Sequence, residues 1–121
     1  MIQYRPMNLI RWAEMAEEHL NPLMSRKVMH GSNMTVARLT MRQGAHVPTH
    51  SHVNEQTTMV EQGALRFVTA EGEYIVRAGE SMCVPPNLPH SVDALEDSVA
   101  LDIFAPVRED WVRGDDAYLR R

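Results

Sequence analysis

From residue 24 onward, hydrophobic and polar residues alternate in short runs that turn residues separate. The segment 34–41 shows the pattern, in which one face is directed toward a core and the other is mixed: Met34, Val36, Arg38 and Thr40 alternate with Thr35, Ala37, Leu39 and Met41. Such period-two alternation predicts a strand with one face toward a core. About nine such strands with no helix between them predict an all-β sandwich or barrel, whose interior can hold a ligand or a metal. Gln62 and Gly63 predict a hairpin between two of them.

The N-terminal region has a different pattern. Leu9, Ile10, Trp12, Met15 and Leu20 recur at roughly helical spacing within MNLIRWAEMAEEHL. This spacing predicts one or two helical turns, limited by Pro22, that lie against the outside of a larger body. A length of 121 residues fits one domain. We therefore expect a single domain over 1–121, with a core barrel over about 24–105, a short N-terminal helical segment and a C-terminal tail over 106–121.

The overall composition is that of a soluble globular protein, with 44% hydrophobic and 23% charged residues. A net charge of −4 and the lack of a basic run argue against a nucleic-acid partner. The N-terminus has no long apolar run, so we expect neither a signal peptide nor a membrane span. Cys83 is the only cysteine, which excludes an intrachain disulfide and favours the cytoplasm. Its apolar neighbours predict a buried position.

One stretch, Gly44–Gly63, concentrates potential metal ligands. His50 and His52 are two residues apart, so on an extended strand both imidazoles point the same way. Gln56 has the same parity as the two histidines, whereas Glu55 has the opposite one. His46 shares the parity too and is a candidate pocket residue, although a proline interrupts the path. The stretch therefore predicts half of a metal site.

A second stretch, Gly79–His90, delivers a further histidine. Its three prolines stiffen the turn, and Asn87 is a residue that tolerates positive φ. A rigid turn of this kind fixes the side chain of His90, as a ligand position requires. We predict that this side chain completes one divalent transition-metal site of neutral nitrogen and oxygen ligands. Such ligands accept zinc, nickel, iron(II), manganese or cobalt, and leave positions open for substrate; the four are His50, His52, Gln56 and His90.

These two stretches resemble the two motifs of the cupin superfamily. In the first motif, Gly44 is followed by His50, His52, Gln56 where glutamate is usual, and Gly63. In the second motif, Gly79 is followed by Pro85, then by Asn87 where glycine is usual, and by His90. Both spacings match over their whole length. The resemblance implies a jelly-roll β-barrel with one bound metal, and the departure at Gln56 removes a charge from the expected ligand set.

A narrower resemblance covers the chain from about residue 24 to its end. Gln56 at the ligand position and the terminal DIFAPVREDW are similar to the pectin-degradation cupins of the KdgF type. That family accelerates the ring opening of 4,5-unsaturated uronate monomers to linear keto-uronates. The resemblance implies a uronate-like sugar acid as substrate and places Asp102, Phe104 and Arg108 in the pocket, beside metal ligands His50, His52, Gln56 and His90.

The residues of that trio also have interpretations of their own. Asp102 and Phe104 share parity on the final predicted strand, so both can face the interior. Asp102 is either a proton-transfer group or a structural partner of Arg108 or Arg38. Phe104 is either a wall against the sugar or a plain core residue. Arg108 offers a planar fork for a substrate carboxylate, or forms a salt bridge with a neighbouring acid (Glu109, Asp110 or Asp102).

Two other functions fit the same ligands. One is a metal-dependent dioxygenase that uses molecular oxygen, and the other is a non-catalytic module that binds a sugar or a small acid. Small cupins resemble one another in pairing through N-terminal strands. The apolar, methionine-rich segment 20–41 accordingly predicts a homodimer.

Overall fold

A computed structural model describes residues 2–4 and 6–121. These residues form ten strands in two antiparallel sheets, as the alternating pattern predicts. The strands are β1 (Glu18–Asn21), β2 (Met24–His30), β3 (Thr35–Met41), β4 (His46–His50), β5 (Glu55–Gln62), β6 (Ala64–Thr69), β7 (Gly72–Arg77), β8 (Ser81–Val84), β9 (His90–Ala94) and β10 (Ser98–Ala105). The fold is thus an all-β jelly roll, and the predicted fold class is confirmed.

The two sheets differ in size and in strand order. In the described part of the chain, one sheet runs β1-β2-β3-β10-β5-β8 and the other runs β4-β9-β6-β7. Each inner face carries the apolar half of the alternating pattern. On β3 the buried positions include Ala37, Leu39 and Met41, and on β6 they include Leu65 and Phe67. The apolar core therefore lies between the sheets, and anything on an inner face points into it.

The predicted hairpin at Gln62 and Gly63 is wrong. β5 pairs with β8 and β10, whereas β6 pairs with β7 and β9, so the chain crosses from one sheet to the other at this point. Gly63 has φ 84°, and a Cβ added at this position would meet Ser98, where β10 begins. A turn glycine serves a sheet crossover as well as a hairpin, and the local sequence does not distinguish the two.

The N-terminal helical segment is shorter than the spacing indicates. It is a single 3₁₀ turn over Trp12–Glu14, and Leu9 is 73% exposed. Leu20 is buried, but it lies in β1 rather than on a helix. The apolar residues at helical spacing therefore belong to two different structures, an exposed arm and an edge strand. The core-facing residue of a short strand can fall at a helical interval by chance.

The C-terminal tail folds back onto the barrel. After β10 a short helix α1 (Glu109–Val112) and a 3₁₀ turn (Ala117–Leu119) bury Trp111 and Leu119. Arg26 of β2 forms a buried ion pair with Asp116. The Asn21 side chain donates a 3.1 Å hydrogen bond to the Leu119 carbonyl. The tail is therefore part of the barrel structure and covers one end of it.

Two surface features complete the description. Cys83 is exposed, which corrects the expectation of a buried position: it lies on the outer face of the edge strand β8, so its apolar neighbours do not enclose it. Across residues 2–4 and 6–121, no helix is long and apolar enough to cross a membrane.

The crossover at Gly63 leads to a stability prediction. A Cβ at Gly63 would lie 2.4 Å from the Asp97 carbonyl oxygen and 2.9 Å from the Ser98 Cα, in addition to the strain of a positive φ. Gly79 has a similar φ of 86° but open space around it. We expect Gly79→Ala to cost about 1 to 2 kcal/mol, and Gly63→Ala to cost at least about 2 kcal/mol more because backbone must shift. Urea unfolding of both variants measures the difference, and equal losses would contradict the steric argument.

Candidate metal centre

The four predicted ligands come from both sheets. His50 ends β4 and His90 begins β9, and the two are direct cross-strand partners in the smaller sheet. Gln56 lies on β5 of the larger sheet, and His52 lies in the loop that joins β4 to β5. The prolines and a φ of 65° at Asn87 form the turn before His90, and the Asn87 main-chain N–H donates a 2.8 Å hydrogen bond to the His52 carbonyl. That bond links the two motifs directly.

The three imidazoles converge in the barrel interior. The nitrogens of His50, His52 and His90 that face each other all lie within 4.8 Å of one another. Each Nδ1 is held by a main-chain carbonyl close in sequence: Pro48 at 2.9 Å, Asn54 at 3.1 Å and Leu88 at 2.8 Å respectively. Because a carbonyl only accepts, each Nδ1 carries the proton and each Nε2 keeps its lone pair. Such bonds set the tautomer and orientation that a metal-binding histidine needs.

Burial keeps these rings neutral. Desolvation lowers the pKa of His50 and of His52 to about 4, and it lowers the pKa of His90 as well. The positive charge of Arg108 acts in the same direction on all three. A neutral imidazole is the form that binds a metal, so the barrel holds the histidines in their ligand state at neutral pH.

Gln56 joins this group through its amide oxygen. Its Oε1 lies 3.0 Å from His52 Nε2, and its Nε2 donates a 2.9 Å hydrogen bond to the Thr58 hydroxyl. With His52 neutral and Nδ1 protonated, the 3.0 Å contact joins two acceptors. His90 Nε2 is buried and lacks a hydrogen-bond partner among the residues described. Buried acceptors that face one another unpaired are costly, and a cation between them removes the cost, so the donor set fits a divalent metal.

Asp102 lies one hydrogen bond beyond Gln56. It is buried on β10, directly across from Thr58 of β5, and its Oδ1 accepts a 2.5 Å hydrogen bond from the Thr58 hydroxyl. Burial raises the pKa of Asp102 to about 6, against the opposing effects of the Thr58 hydrogen bond, the Arg108 charge and a hydrogen bond from the Gln56 side chain. Neither Arg108 nor Arg38 forms an ion pair with it; these arginines pair with Asp110 and Glu61.

Phe104 and Arg108 line the same cavity. Phe104 is buried on β10 and packs edge-on against His52, with ring centroids 5.6 Å apart. The Arg108 guanidinium is 1% exposed and stacks over the Phe104 and Trp111 rings at 4.6 and 4.3 Å. Its Nε and Nη2 pair with the Asp110 carboxylate at 3.0 and 2.8 Å, so the predicted salt bridge with a neighbouring acid exists. Nη1 takes part in neither bond.

Sequence reasoning missed two residues of the site. The Tyr118 ring stacks on His50 with centroids 4.7 Å apart, and its hydroxyl accepts a 2.7 Å hydrogen bond from Arg108. It lies in the tail, outside any strand pattern, so parity gave no signal for it. Thr58 did have a signal: it is two residues from Gln56 and therefore on the same face.

Two weaker candidates lie outside the cavity. His46 is exposed and its Nδ1 lies 2.6 Å from Asp93 Oδ1 on the outer face of the smaller sheet, so it is not a pocket residue. A register irregularity on β4 between Val47 and His50 shifts the alternation, so His46 and His50 do not share a face despite equal parity. Glu55 is exposed, as its opposite parity predicts.

The cavity at the centre is small. Its volume is about 40 Å³, and its polar lining consists of His50, Gln56, Thr58, His90, Asp102 and Arg108. The rest of the lining is apolar and includes Phe104 and Leu119. One water molecule needs roughly 10–15 Å³ of cavity volume, so this cavity accommodates an ion and a few waters. An apolar cavity with a few converging polar groups is typical of a small-molecule site.

The fold and the cavity together define an all-β barrel protein with a candidate metal centre between its sheets. A family model described as a cupin domain matches residues 37–104, which is more than half of the chain. The chain therefore belongs to the cupin family, and the matched segment contains His50, His52, Gln56 and His90.

Comparison with individual proteins shows how similar known cupins are. An RmlC-like cupin from Shewanella frigidimarina NCIMB 400 is 20% identical with a TM-score of 0.80, covering 88% of this chain and 96% of its own. KdgF from Halomonas sp. is 26% identical with a TM-score of 0.75, covering 82% and 94%. The chain is thus a small cupin that resembles KdgF.

A relative with a different named activity also matches. The 3-hydroxyanthranilate 3,4-dioxygenase of Candida albicans (strain SC5314 / ATCC MYA-2876) is 24% identical over 107 residues, or 84% of this chain. The match spans 61% of the length of that curated relative.

The depressed histidine pKa values lead to a prediction for the metal-free protein. In the unfolded chain the imidazoles titrate near their ordinary value of 6.5, whereas in the fold His50 and His52 titrate at about 4. Between these values the unfolded state binds more protons, so the free energy of unfolding falls as the pH is lowered through this window. Urea unfolding of chelator-treated protein across the window measures the slope. The His52→Gln variant should show a smaller slope, because one of the histidines with a lowered pKa is removed. No change of the free energy of unfolding with pH in the unchanged protein would contradict the lowered pKa values.

Proposed function

We propose that this cupin is a metal-dependent enzyme that accelerates ring opening of 4,5-unsaturated uronate monomers to linear keto-uronates. The observation that carries the proposal is the neutral ligand set of three imidazole Nε2 atoms and the Gln56 amide oxygen, beside Asp102 and Arg108 in one cavity. The similarity to KdgF supports it further. In breakdown of pectin or alginate, such monomers are the products of lyases.

The proposed metal ligands are His50, His52, Gln56 and His90. When bound there, a divalent transition metal such as nickel, zinc, iron, manganese or cobalt would supply Lewis-acid polarisation of a substrate oxygen. No carboxylate belongs to the ligand set, so the full double charge would remain available to an anionic substrate. A sugar acid, with its negatively charged carboxylate, is a substrate of this kind.

The other cavity residues have distinct proposed roles. Arg108 fixes the substrate carboxylate through its Nη1, while Asp110 holds the other edge of the guanidinium. Phe104 forms an apolar wall that excludes water from one side. Asp102 takes the proton of the anomeric hydroxyl as the bond between C1 and the ring oxygen breaks, and a proton returns to C4 as the enol becomes the 5-ketone. No oxidant is consumed, and the proton count balances.

Substrate access requires movement of the tail. A cavity of about 40 Å³ has no room for a hexuronate, and drug-sized ligands occupy roughly 300 Å³ or more. Tyr118 stacks on His50 and Leu119 lines the cavity, so displacement of the segment 117–121 enlarges it. The tail makes the mouth of the site adjustable, while the sheets hold the proposed ligands fixed.

Turnover of freshly lyase-generated unsaturated uronate tests the proposal. Loss of the conjugated chromophore is followed with metal-loaded protein, with chelator-stripped protein and without protein. We expect acceleration over the spontaneous rate with metal only, because positioning and polarisation of an already feasible reaction need the charged centre. No acceleration with any of the five metals would contradict the proposed activity.

Asp102→Asn separates proton transfer from metal binding. The asparagine Oδ1 still accepts the Thr58 hydrogen bond, but the side chain no longer takes a proton. We expect turnover to fall by about 10²- to 10⁴-fold, the usual contribution of general acid–base catalysis, with metal content unchanged. Metal analysis of the same preparation provides the control. Loss of metal, or full activity, would contradict the catalytic role of Asp102.

A dioxygenase activity is the second candidate, because the Candida albicans relative is a dioxygenase. Oxygen uptake by the iron(II)-loaded protein with a 3-hydroxyanthranilate-like aromatic acid would support it. Saturable binding of a sugar acid with neither turnover nor oxygen uptake would support a binding module instead.

Three further properties accompany the proposal. We propose one domain over 1–121 and a cytoplasmic location, where an exposed thiol such as Cys83 stays reduced. We also propose a homodimer, supported by exposed apolar side chains along the N-terminal arm, which include Ile2, Tyr4, Met7 and Leu9. Light scattering of the purified protein measures the mass directly.

A further inference from the structure

The amide of Gln56 has two unlike ends, and only one of them binds a metal. An amide oxygen accepts, whereas the NH₂ group donates and has no lone pair for a cation. In the metal-free protein the reversed orientation would let the NH₂ group donate to the lone pair of His52 Nε2. The structure instead has Oε1 at 3.0 Å from His52 Nε2. Some other contact must therefore select the orientation with oxygen inward.

Thr58 provides that contact. Its hydroxyl proton is donated to Asp102 Oδ1, so the oxygen of the same hydroxyl is left to accept. The partner on its other side is Gln56 Nε2, at 2.9 Å. A hydroxyl that has given its only proton to a carboxylate accepts from an NH₂ group and repels a carbonyl. The order of donors from Gln56 through Thr58 to Asp102 therefore fixes which end of the amide meets the histidines.

The strand geometry builds this chain of hydrogen bonds. Gln56 and Thr58 are two apart on β5, so both point into the barrel, and Thr58 lies directly across from Asp102 of β10. All three side chains are buried, with Thr58 only 1% exposed. Both hydrogen bonds of this hydroxyl are made to protein groups in a low-dielectric interior, where they are stronger than in water. The order of donors is thus determined within the protein.

We propose that Thr58 is a positioning residue, which sets the affinity of the centre for its metal by holding the Gln56 amide with its oxygen inward. The inference rests on the ligand role given to Gln56 under the proposed function. It does not depend on which substrate is turned over. A glutamate at position 56 would need no such device, because both ends of a carboxylate are oxygens.

A double-mutant cycle on metal affinity tests the proposal without substrate. Thr58→Val keeps the shape of the side chain and removes the hydroxyl, and Gln56→Glu removes the need for orientation. We expect Thr58→Val to weaken Zn²⁺ or Ni²⁺ binding by about 10- to 100-fold in the Gln56 protein, as for other partners that orient ligands. In the Gln56→Glu background the same change should leave affinity nearly unaltered. Competition with a chromophoric chelator measures all four proteins.

Two controls make the result specific. Thr58→Ser restores the hydroxyl and should restore the affinity, and thermal unfolding of the metal-free variants shows whether each barrel is intact. If Thr58→Val does not fold, Thr58→Ala, which only removes atoms, takes its place in the cycle.

The contradicting outcomes are distinct. Undiminished affinity in Thr58→Val, or the same loss in both backgrounds, would overturn the orienting role. If Gln56→Ala leaves affinity unchanged, Gln56 is not a ligand and the inference fails with it. Failure of uronate turnover with metal bound, by contrast, would contradict the proposed substrate and leave the cycle to decide the role of Thr58.

Discussion

Four acceptor atoms that face one another inside an apolar barrel are the constraint on which this structure depends. The Nδ1 bonds to the carbonyls of Pro48, Asn54 and Leu88 turn three imidazole lone pairs inward, and the Gln56 amide adds a fourth acceptor. Burial at the same time removes the protons that would otherwise relieve the contact. Such a group of acceptors is unfavourable without a cation and favourable around one. The fold therefore holds these atoms in place before a metal binds, at a cost to the stability of the metal-free protein.

The architecture explains how the chain tolerates that cost. Three of the proposed ligands, His50, His90 and Gln56, lie on strands, and the antiparallel pairs β4–β9 and β5–β10 hold these by main-chain hydrogen bonds. His52 lies in the loop that joins β4 to β5. The side chain of Asn54, between His52 and Gln56, donates a 2.6 Å hydrogen bond to the Pro106 carbonyl, where the tail begins. The loop that carries His52 is therefore tied to the start of the tail. This bond does not involve the end of the tail, where Tyr118 and Leu119 cover the cavity.

Much of this site was accessible from sequence because strand parity is a strong constraint. Parity put Gln56 on the face of His50 and His52 on the condition that strand geometry continues through the turn before Gln56. The cupin resemblance singled out Asp102 and Phe104, whose shared parity allows both to face the interior, and the prolines before His90 indicated a fixed turn. Parity failed at His46, because the irregularity on β4 departs from regular alternation. Two other predictions rested on local composition rather than parity: the exposed edge leaves Cys83 in solvent despite its apolar neighbours, and the crossover at Gly63 looks like a hairpin because both need a glycine at positive φ. Tyr118 depends on how the tail packs, which no local pattern encodes.

The exchange of glutamate for glutamine in the first motif has an electrostatic consequence for the whole cavity. A carboxylate at position 56 would neutralise part of the charge of a bound metal. Here the Asp102 carboxylate lies beside the amide instead, where it accepts a hydrogen bond from Thr58, the same residue whose hydroxyl accepts from Gln56 Nε2. The negative charge therefore lies in the cavity wall, at Asp102, and the proposed ligand atoms are all neutral. A metal held by these neutral atoms would attract an anionic ligand more strongly, and the Asp102 carboxylate lines the same cavity. Those two properties suit the proposed proton movement on a sugar acid better than they suit electron transfer, in which a charged ligand helps to stabilise the oxidised metal.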